Sequence, residues 1–337
     1  MPDLYNPITQ NSFTPPPPGI WQKFLLSCVS KLDSSSYLSR KCSRMAYGKE
    51  LKHMRNIGAN LELVPSDEPD VWEIYWKKEH LGRTAPLPKA IKGEDLWILA
   101  TGPSIKDLDL SKLQGHKVLG LNGAIATCQE VGISPSHYAI TDRDFFEHRM
   151  PLVVDAVNSG AHCLFSVNGL ARICEQAPQL LTSGKISLLQ TVNRYYGLPQ
   201  LSANDLVEAL QHHPSLSISS DGDSKIGWSR HISHGVFTAN TIAYIGCQIA
   251  ESLGAENAYL LGMDLGSPTN TPARSYEDGQ KARPTTLDKD YESTILPSFE
   301  LLRDTETHCR FWNLSPVSRL PESVMPRKSF PDSLKCR

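Results

Sequence analysis

The strongest constraint in this sequence is a repeated pattern: a short apolar run that stops at a polar or glycine-bearing corner. Leu96 to Ala100 runs into Thr101-Gly102-Pro103-Ser104, Lys117 to Leu121 into Asn122-Gly123, and His137 to Thr141 into Asp142. Runs this short and continuous suit strands buried on both faces of a parallel sheet; strands buried on one face alternate instead. A helix is predicted between the second and third strands, over Ala124 to Val131. Further strands are expected at Ala161 to Val167, Lys185 to Gln190, Ala258 to Gly262 and Arg310 to Ser315. Helices are expected at Ala203 to His212, Ser233 to Leu253 and Tyr291 to Arg303. Strands alternating with helices predict an α/β fold with a doubly wound, parallel, Rossmann-like sheet. In such sheets ligands gather outside the carboxyl ends of the strands. Thr101, Gly102, Pro103, Ser104, Asn122, Gly123, Thr141 and Asp142 are therefore offered to one crevice. Gly102 lets backbone pass close to a ligand, and Ser104 brings a hydroxyl that can cap the next segment or meet a phosphate. An ordinary strand-to-helix turn carries the same signature at any one of these corners.

The rest of the chain frames that domain. Residues 1–19 end in four prolines and a glycine and read as an extended arm. Residues 20–93 read as a basic N-terminal helical extension, with candidate strands at Leu61 to Val64 and Val71 to Trp76. Between Ile20 and Arg55, eight Lys and Arg residues stand against only Asp33 and Glu50, beside apolar residues at helical spacing. Such a segment either packs on the main domain with a solvated outer face or rests peripherally on an anionic membrane. The main domain is expected over 94–325. It includes a lid at about 266–290, a polar segment directly after a strand that ends at Asp264. The formal net charge is −2, so nothing suggests broad nucleic-acid binding. The eight cysteines form no C-x-x-C pair, which argues against a zinc site or a thioredoxin motif and for reduced thiols in a cytoplasmic protein. No run is long and apolar enough to span a bilayer, and the N-terminus lacks a signal-peptide pattern.

A dinucleotide dehydrogenase would carry G-x-G-x-x-G and an acidic residue after the second strand. Here one glycine precedes Pro103 and the second strand ends in Asn122, whose amide suits a base or sugar edge instead. Asp142-Arg143-Asp144 is a D-x-D, a pattern that can hold a metal and a diphosphate.

Taken together, Ala100 to Ser104, Leu121-Asn122-Gly123, Ile232 to Val236 and Leu261 to Asp264 resemble the bacterial sialyltransferases that use CMP-sialic acid. A closer resemblance is to the lipopolysaccharide-core Kdo transferases that add a third Kdo residue. It rests on Asn122-Gly123-Ala124, Thr141-Asp142, Ile232-Ser233, Thr241-Ile242-Ala243, and Leu296-Pro297 with Phe299. It covers roughly residues 96–320. The resemblance implies a sialyltransferase-like GT-A variant and inverting transfer of Kdo from CMP-Kdo to a lipopolysaccharide core or related glycolipid. CMP-Kdo is then the donor substrate, and no cofactor or metal is expected, because a CMP donor needs no diphosphate clamp. The protein is expected in the cytoplasm, peripheral on the inner membrane. Ser233, His234 and Gly235 are expected at a helix start facing the donor's phosphate or carboxylate, Asp264 at the cytidine side, and Tyr276 from the lid on the phosphate. The family histidine beyond the lid has no counterpart at Leu287 to Tyr291, so Asp142 is the first candidate base and Asp290 the second. Another CMP-nonulosonic acid as donor, a non-catalytic nucleotide-binding module and a pyrophosphokinase-like relative are the alternatives. A catalytic reading asks that Asp142 and His234 face one cleft.

Overall fold

The computed structural model describes residues 41–42, 45–49, 51–57, 60–266, 274–276, 286–330 and 334. The 1–19 arm, most of the basic 20–55 segment and most of the 266–290 lid lie outside the described residues.

Where the sequence suggests a helical extension, residues 61–83 form a three-stranded antiparallel sheet: β1 (Leu61–Pro65), β2 (Trp72–Trp76) and β3 (Glu79–Arg83). Its inward residues Leu61, Leu63 and Ile74 are buried against the main domain. The alternation of buried and exposed residues along β1 is that of a strand with one wet face. Among the described residues of the extension, helical structure lies before this sheet, at 41–42 and 45–47 and in the turn Lys52–Asn56.

The main sheet has seven strands, all parallel, in the order β12-β11-β4-β5-β6-β7-β8. They are β4 (Leu96–Leu99), β5 (Val118–Leu121), β6 (His137–Ile140), β7 (His162–Phe165), β8 (Lys185–Leu188), β11 (Asn257–Leu261) and β12 (Arg310–Asn313). A two-stranded ribbon, β9 (Leu216–Ile218) with β10 (Gly227–Ser229), interrupts the series. β4, β5 and β6 are buried at every position, which explains their unbroken apolar runs. The connecting helices are α1 (Ala124–Val131), α2 (Arg143–His148), α3 (Met150–Asn158), α4 (Val167–Gln176), α5 (Ala203–Leu210), α6 (Ile242–Ser252), α7 (Leu287–Asp290) and α8 (Leu296–Asp304). The fold is therefore the doubly wound α/β architecture expected from the sequence. Strand order reverses between β4 and β11, so the switch-point crevice opens between the ends of those two strands.

One expected helix is shorter than the sequence suggests. α6 begins at Ile242, whereas the apolar and small residues run on from Ser233. Ile232–His234 form a single 3-10 turn instead, Gly235 breaks it at φ 84°, and Val236 runs extended in a bridge to Thr191. Val236 exchanges backbone hydrogen bonds with Gln190 and Val192, and the buried Gln248 amide serves both the N–H and the carbonyl of Phe237. With those backbone groups already satisfied, no helical turn is needed to pair them. The chain then turns through Ala239 and Asn240, both at positive φ (44° and 53°), before Thr241 opens the helix.

At the opposite end of the sheet, His137 on β6 is buried and stacked near His162. Burial, with His162 and Lys117 nearby, pushes its pKa down to about 4. A histidine held neutral in the native state contributes stability above its unfolded pKa and loses it as pH falls through the folded value. Acidification from about pH 6.5 to pH 4 is therefore expected to remove on the order of 3 kcal/mol through this one group. Melting temperature measured against pH should fall more steeply over that window in the wild type than in His137→Asn; parallel curves would exclude this source.

Candidate functional site

A cavity of about 720 Å³ lies at the carboxyl ends of the central strands. Its wall includes Thr101 and Gly102 after β4, Asn122 after β5, Thr141 and Asp142 after β6, and Gly262 to Gly266 after β11. The two switch-point strands are tied together at this point. Gly102 N–H donates to the Gly262 carbonyl at 2.9 Å, and the buried Asp264 carboxylate accepts from the backbone N–H of Ser104 (2.9 Å). The hydroxyls of Ser104 and Ser315 donate to the same carboxylate. The Ser104 side chain is thus spent on Asp264 rather than offered to a ligand, and Ser104 and Pro103 do not line the cavity. Asp264 lines it while bracing three chain segments.

Asn122 is set by its neighbours. Gly120 leaves room for the Tyr138 ring, which would come within 2.4 Å of any Cβ there. The Tyr138 hydroxyl donates to the Asn122 carbonyl (2.7 Å) and accepts from the Ile125 N–H (2.6 Å), fixing the corner and the start of α1 together. Asn122 adopts φ 47°, a left-handed conformation that asparagine tolerates better than most residues. Its side-chain Oδ1 is buried without a hydrogen-bond partner at the cavity wall. Orphaned buried acceptors are costly.

Asp142 is the N-cap of α2: one carboxylate oxygen accepts from the Asp144 N–H at 2.9 Å, and the residue lines the cavity. Asp144 lines it too, yet among the described residues no three His, Cys, Asp or Glu side chains converge on a metal-sized point. Asp290 closes the wall on the lid side, at the end of α7 and directly before a π-helical stretch, Tyr291–Ile295. Such π stretches cluster at functional sites. The Arg319 guanidinium covers the Tyr291 ring and bonds Asp288 and Glu292, bracing this wall from behind.

The described part of the lid, Arg274 to Tyr276, lies across the cleft. Ser275 N–H donates to the Thr101 carbonyl at 2.8 Å. The Tyr276 ring lies on Gly123 so closely that a Cβ at that position would be 2.1 Å from it, and it meets Phe145 edge-on. Gly123 therefore works as the seat for Tyr276, which lines the cavity, rather than as a lining residue.

The helix start facing the cavity is not the one the sequence suggested. Thr238, Asn240, Thr241 and the first residues of α6 line it; Ser233, His234 and Gly235 do not. His234 lies beside His213 and His231, its carbonyl accepts from the Tyr195 hydroxyl, and burial with those two histidines pushes its pKa down to about 4. The start of α6 carries no side-chain cap and no acidic residue in its first turn, so its N–H groups and dipole are open to an anion. The signal was in the sequence: Asn240 before Thr241 is a turn residue followed by an N-cap residue. Reasoning from strand ends also missed Arg149, Arg194 and Arg274, which join Arg143 on the wall.

Residues 84–328 match the family model of the 3-deoxy-D-manno-octulosonic acid transferase WaaZ. The chain belongs to this Kdo transferase family. It is therefore a glycosyltransferase. It is similar to a probable 3-deoxy-manno-octulosonic acid transferase of Escherichia coli strain K12, 25% identical over 238 residues, covering 69% of this chain and 82% of that protein. It is also similar to a protein of the same description from Salmonella typhimurium strain LT2, 27% identical over 242 residues, covering 69% of this chain and 86% of that protein. Among solved structures it is similar to the MAf glycosyltransferase of Magnetospirillum magneticum AMB-1, at 16% identity and a TM-score of 0.47 over 96% of this chain and 48% of that one, and to the sialyltransferase CstII of Campylobacter jejuni, at 16% identity and a TM-score of 0.37 over 69% of this chain and 84% of that one. Family membership starts at residue 84, immediately after the three-stranded sheet.

Proposed function

We propose that this Kdo transferase takes its sugar from CMP-Kdo and passes it, with inversion, to a hydroxyl of a lipopolysaccharide core or related glycolipid. One observation carries the reading: a single cavity holds both an uncapped helix start, suited to a phosphate, and the Asp142 carboxylate, suited to a proton. The open N–H groups of α6 receive the CMP phosphate, and Arg143 supplies positive charge at the same wall. Asn122, on the cavity wall after β5, offers its amide to an amino or hydroxyl edge of the cytidine. Tyr276 closes over the donor from its seat on Gly123. The acceptor oxygen attacks the anomeric carbon as the bond to the phosphate oxygen breaks, CMP leaves, and Asp142 takes the acceptor's proton. Charge on the leaving monophosphate is met by protein donors, so transfer needs no metal or other cofactor. Contact of the basic 20–55 segment with an anionic inner-membrane surface belongs to the same reading, with the active site on the cytoplasmic side.

Calorimetry in EDTA-containing buffer tests this directly. CMP and CDP are expected to bind more tightly than AMP or NAD, and without added metal. Tighter binding of NAD, or CMP binding that appears only with manganese, would remove the metal-free CMP donor from the reading.

A further inference from the structure

The β2–β3 hairpin closes through two residues, Lys77 and Lys78, between the paired Trp76 and Glu79. Both lysines have positive φ, 51° and 71°, the backbone of a type I′ turn. That turn favours Asn-Gly; a lysine there crowds its Cβ against its own backbone. The turn sequence therefore works against the local fold. Both lysines are exposed, and neither ammonium forms an ion pair among the described residues. A local conflict of this kind points to selection for something other than stability.

The tip's position says what. Leu61 pairs with Trp76, and the Tyr196 hydroxyl donates to the Leu61 carbonyl (2.9 Å) and accepts from the Leu63 N–H (3.3 Å). Tyr196 is two residues from Arg194 on the cavity wall. From the other side, the His53 ring bonds the Tyr195 carbonyl at 2.9 Å and Met54 Sδ accepts from Gly197 N–H. The start of β1, paired with the residue next to the hairpin tip, and the Lys52–Asn56 turn thus flank one loop beside the cavity wall. These segments carry exposed Lys49, Lys52, Lys77, Lys78 and Arg194, beside exposed Glu62 and Glu79, in a chain of net charge −2. The half-buried Tyr75 and Trp76 stand behind the lysines, and amphipathic rings beside long cationic chains suit a headgroup layer.

We propose that the Lys77-Lys78 tip, with Lys49, Lys52 and Arg194, is the face by which this protein docks on an anionic phospholipid bilayer, holding the cavity rim at the headgroups. The inference deepens the glycolipid reading above and is tested without it. Full-length protein is sedimented with vesicles of phosphatidylglycerol and phosphatidylcholine, and with phosphatidylcholine alone. Each lysine near an anionic surface strengthens binding several-fold, so K77N/K78G is expected to weaken binding to the anionic vesicles tenfold or more. The same variant should melt several degrees higher, because Asn-Gly relieves the turn. K77R/K78R should keep vesicle binding. Unchanged binding in K77N/K78G, equal binding to neutral vesicles, or a lower melting temperature would each overturn the proposal. CMP calorimetry on the same variant should match the wild type, so loss of CMP binding in both proteins would instead count against the donor assignment.

Discussion

Asp142→Asn is expected to slow sugar transfer by about 10²- to 10⁴-fold while CMP affinity stays near the wild-type value. The substitution isolates the proton transfer because of what Asp142 already does. One of its oxygens caps α2 through the Asp144 N–H, and asparagine is as good an N-cap as aspartate. The helix, the cavity wall and the side-chain volume are therefore retained, and only the basic oxygen is lost. In barrier terms the loss is about 3 to 5 kcal/mol. Asp290→Asn is the competing case, since Asp290 faces the same cavity from the lid side. Steady-state turnover with a soluble acceptor separates them. Near-wild-type turnover in Asp142→Asn, with a loss in Asp290→Asn, would move the base to the end of α7. His234→Ala should leave turnover largely intact, because its ring lies outside the cavity.

What the sequence made legible follows the physics of each feature. The central strands are readable because burial on both faces leaves an unbroken apolar run. The corners after β4, β5 and β6 were readable because parallel-sheet ligands gather there. The start of α6 was misread because Ser233 and Gly235 imitate a cap and a turn. What decides that segment is the side chain of Gln248, which satisfies Phe237 from within the helix itself. Single-sequence periodicity has no access to a hydrogen bond of that kind. Ser104 was read as a ligand contact for a similar reason: its partner, Asp264, is distant in sequence and adjacent only once β11 lies beside β4. The arginines on the wall come from loops without a periodic signature, so only the fold gathers them. Only their backbone angles single out Lys77 and Lys78.

Gly102→Ala is expected to destabilise the protein by about 2 to 3 kcal/mol and to weaken nucleotide binding with it. Gly102 has an ordinary extended backbone, φ −62° and ψ 149°, so conformational freedom is not what it supplies. Space is. A Cβ there would lie 2.4 Å from the Gly262 carbonyl oxygen and 2.6 Å from the Asp264 carboxylate. The first neighbour is backbone on the adjacent strand, and the second is a buried side chain held by Ser104 and Ser315, so neither yields cheaply. Relief requires the ends of β4 and β11 to separate, which stretches the Gly102 hydrogen bond to Gly262 and loosens the switch-point crevice. Gly266→Ala is the matched control. It lies on the same cavity wall, and a Cβ added there meets nothing within 4 Å. Thermal melts of the two variants with and without CMP should therefore diverge, with Gly102→Ala several degrees lower and less protected by CMP. If Gly102→Ala melted and bound CMP like Gly266→Ala, the two strand ends would not be clamped at this point, and the crevice would have to be shaped by the lid and the start of α6 instead.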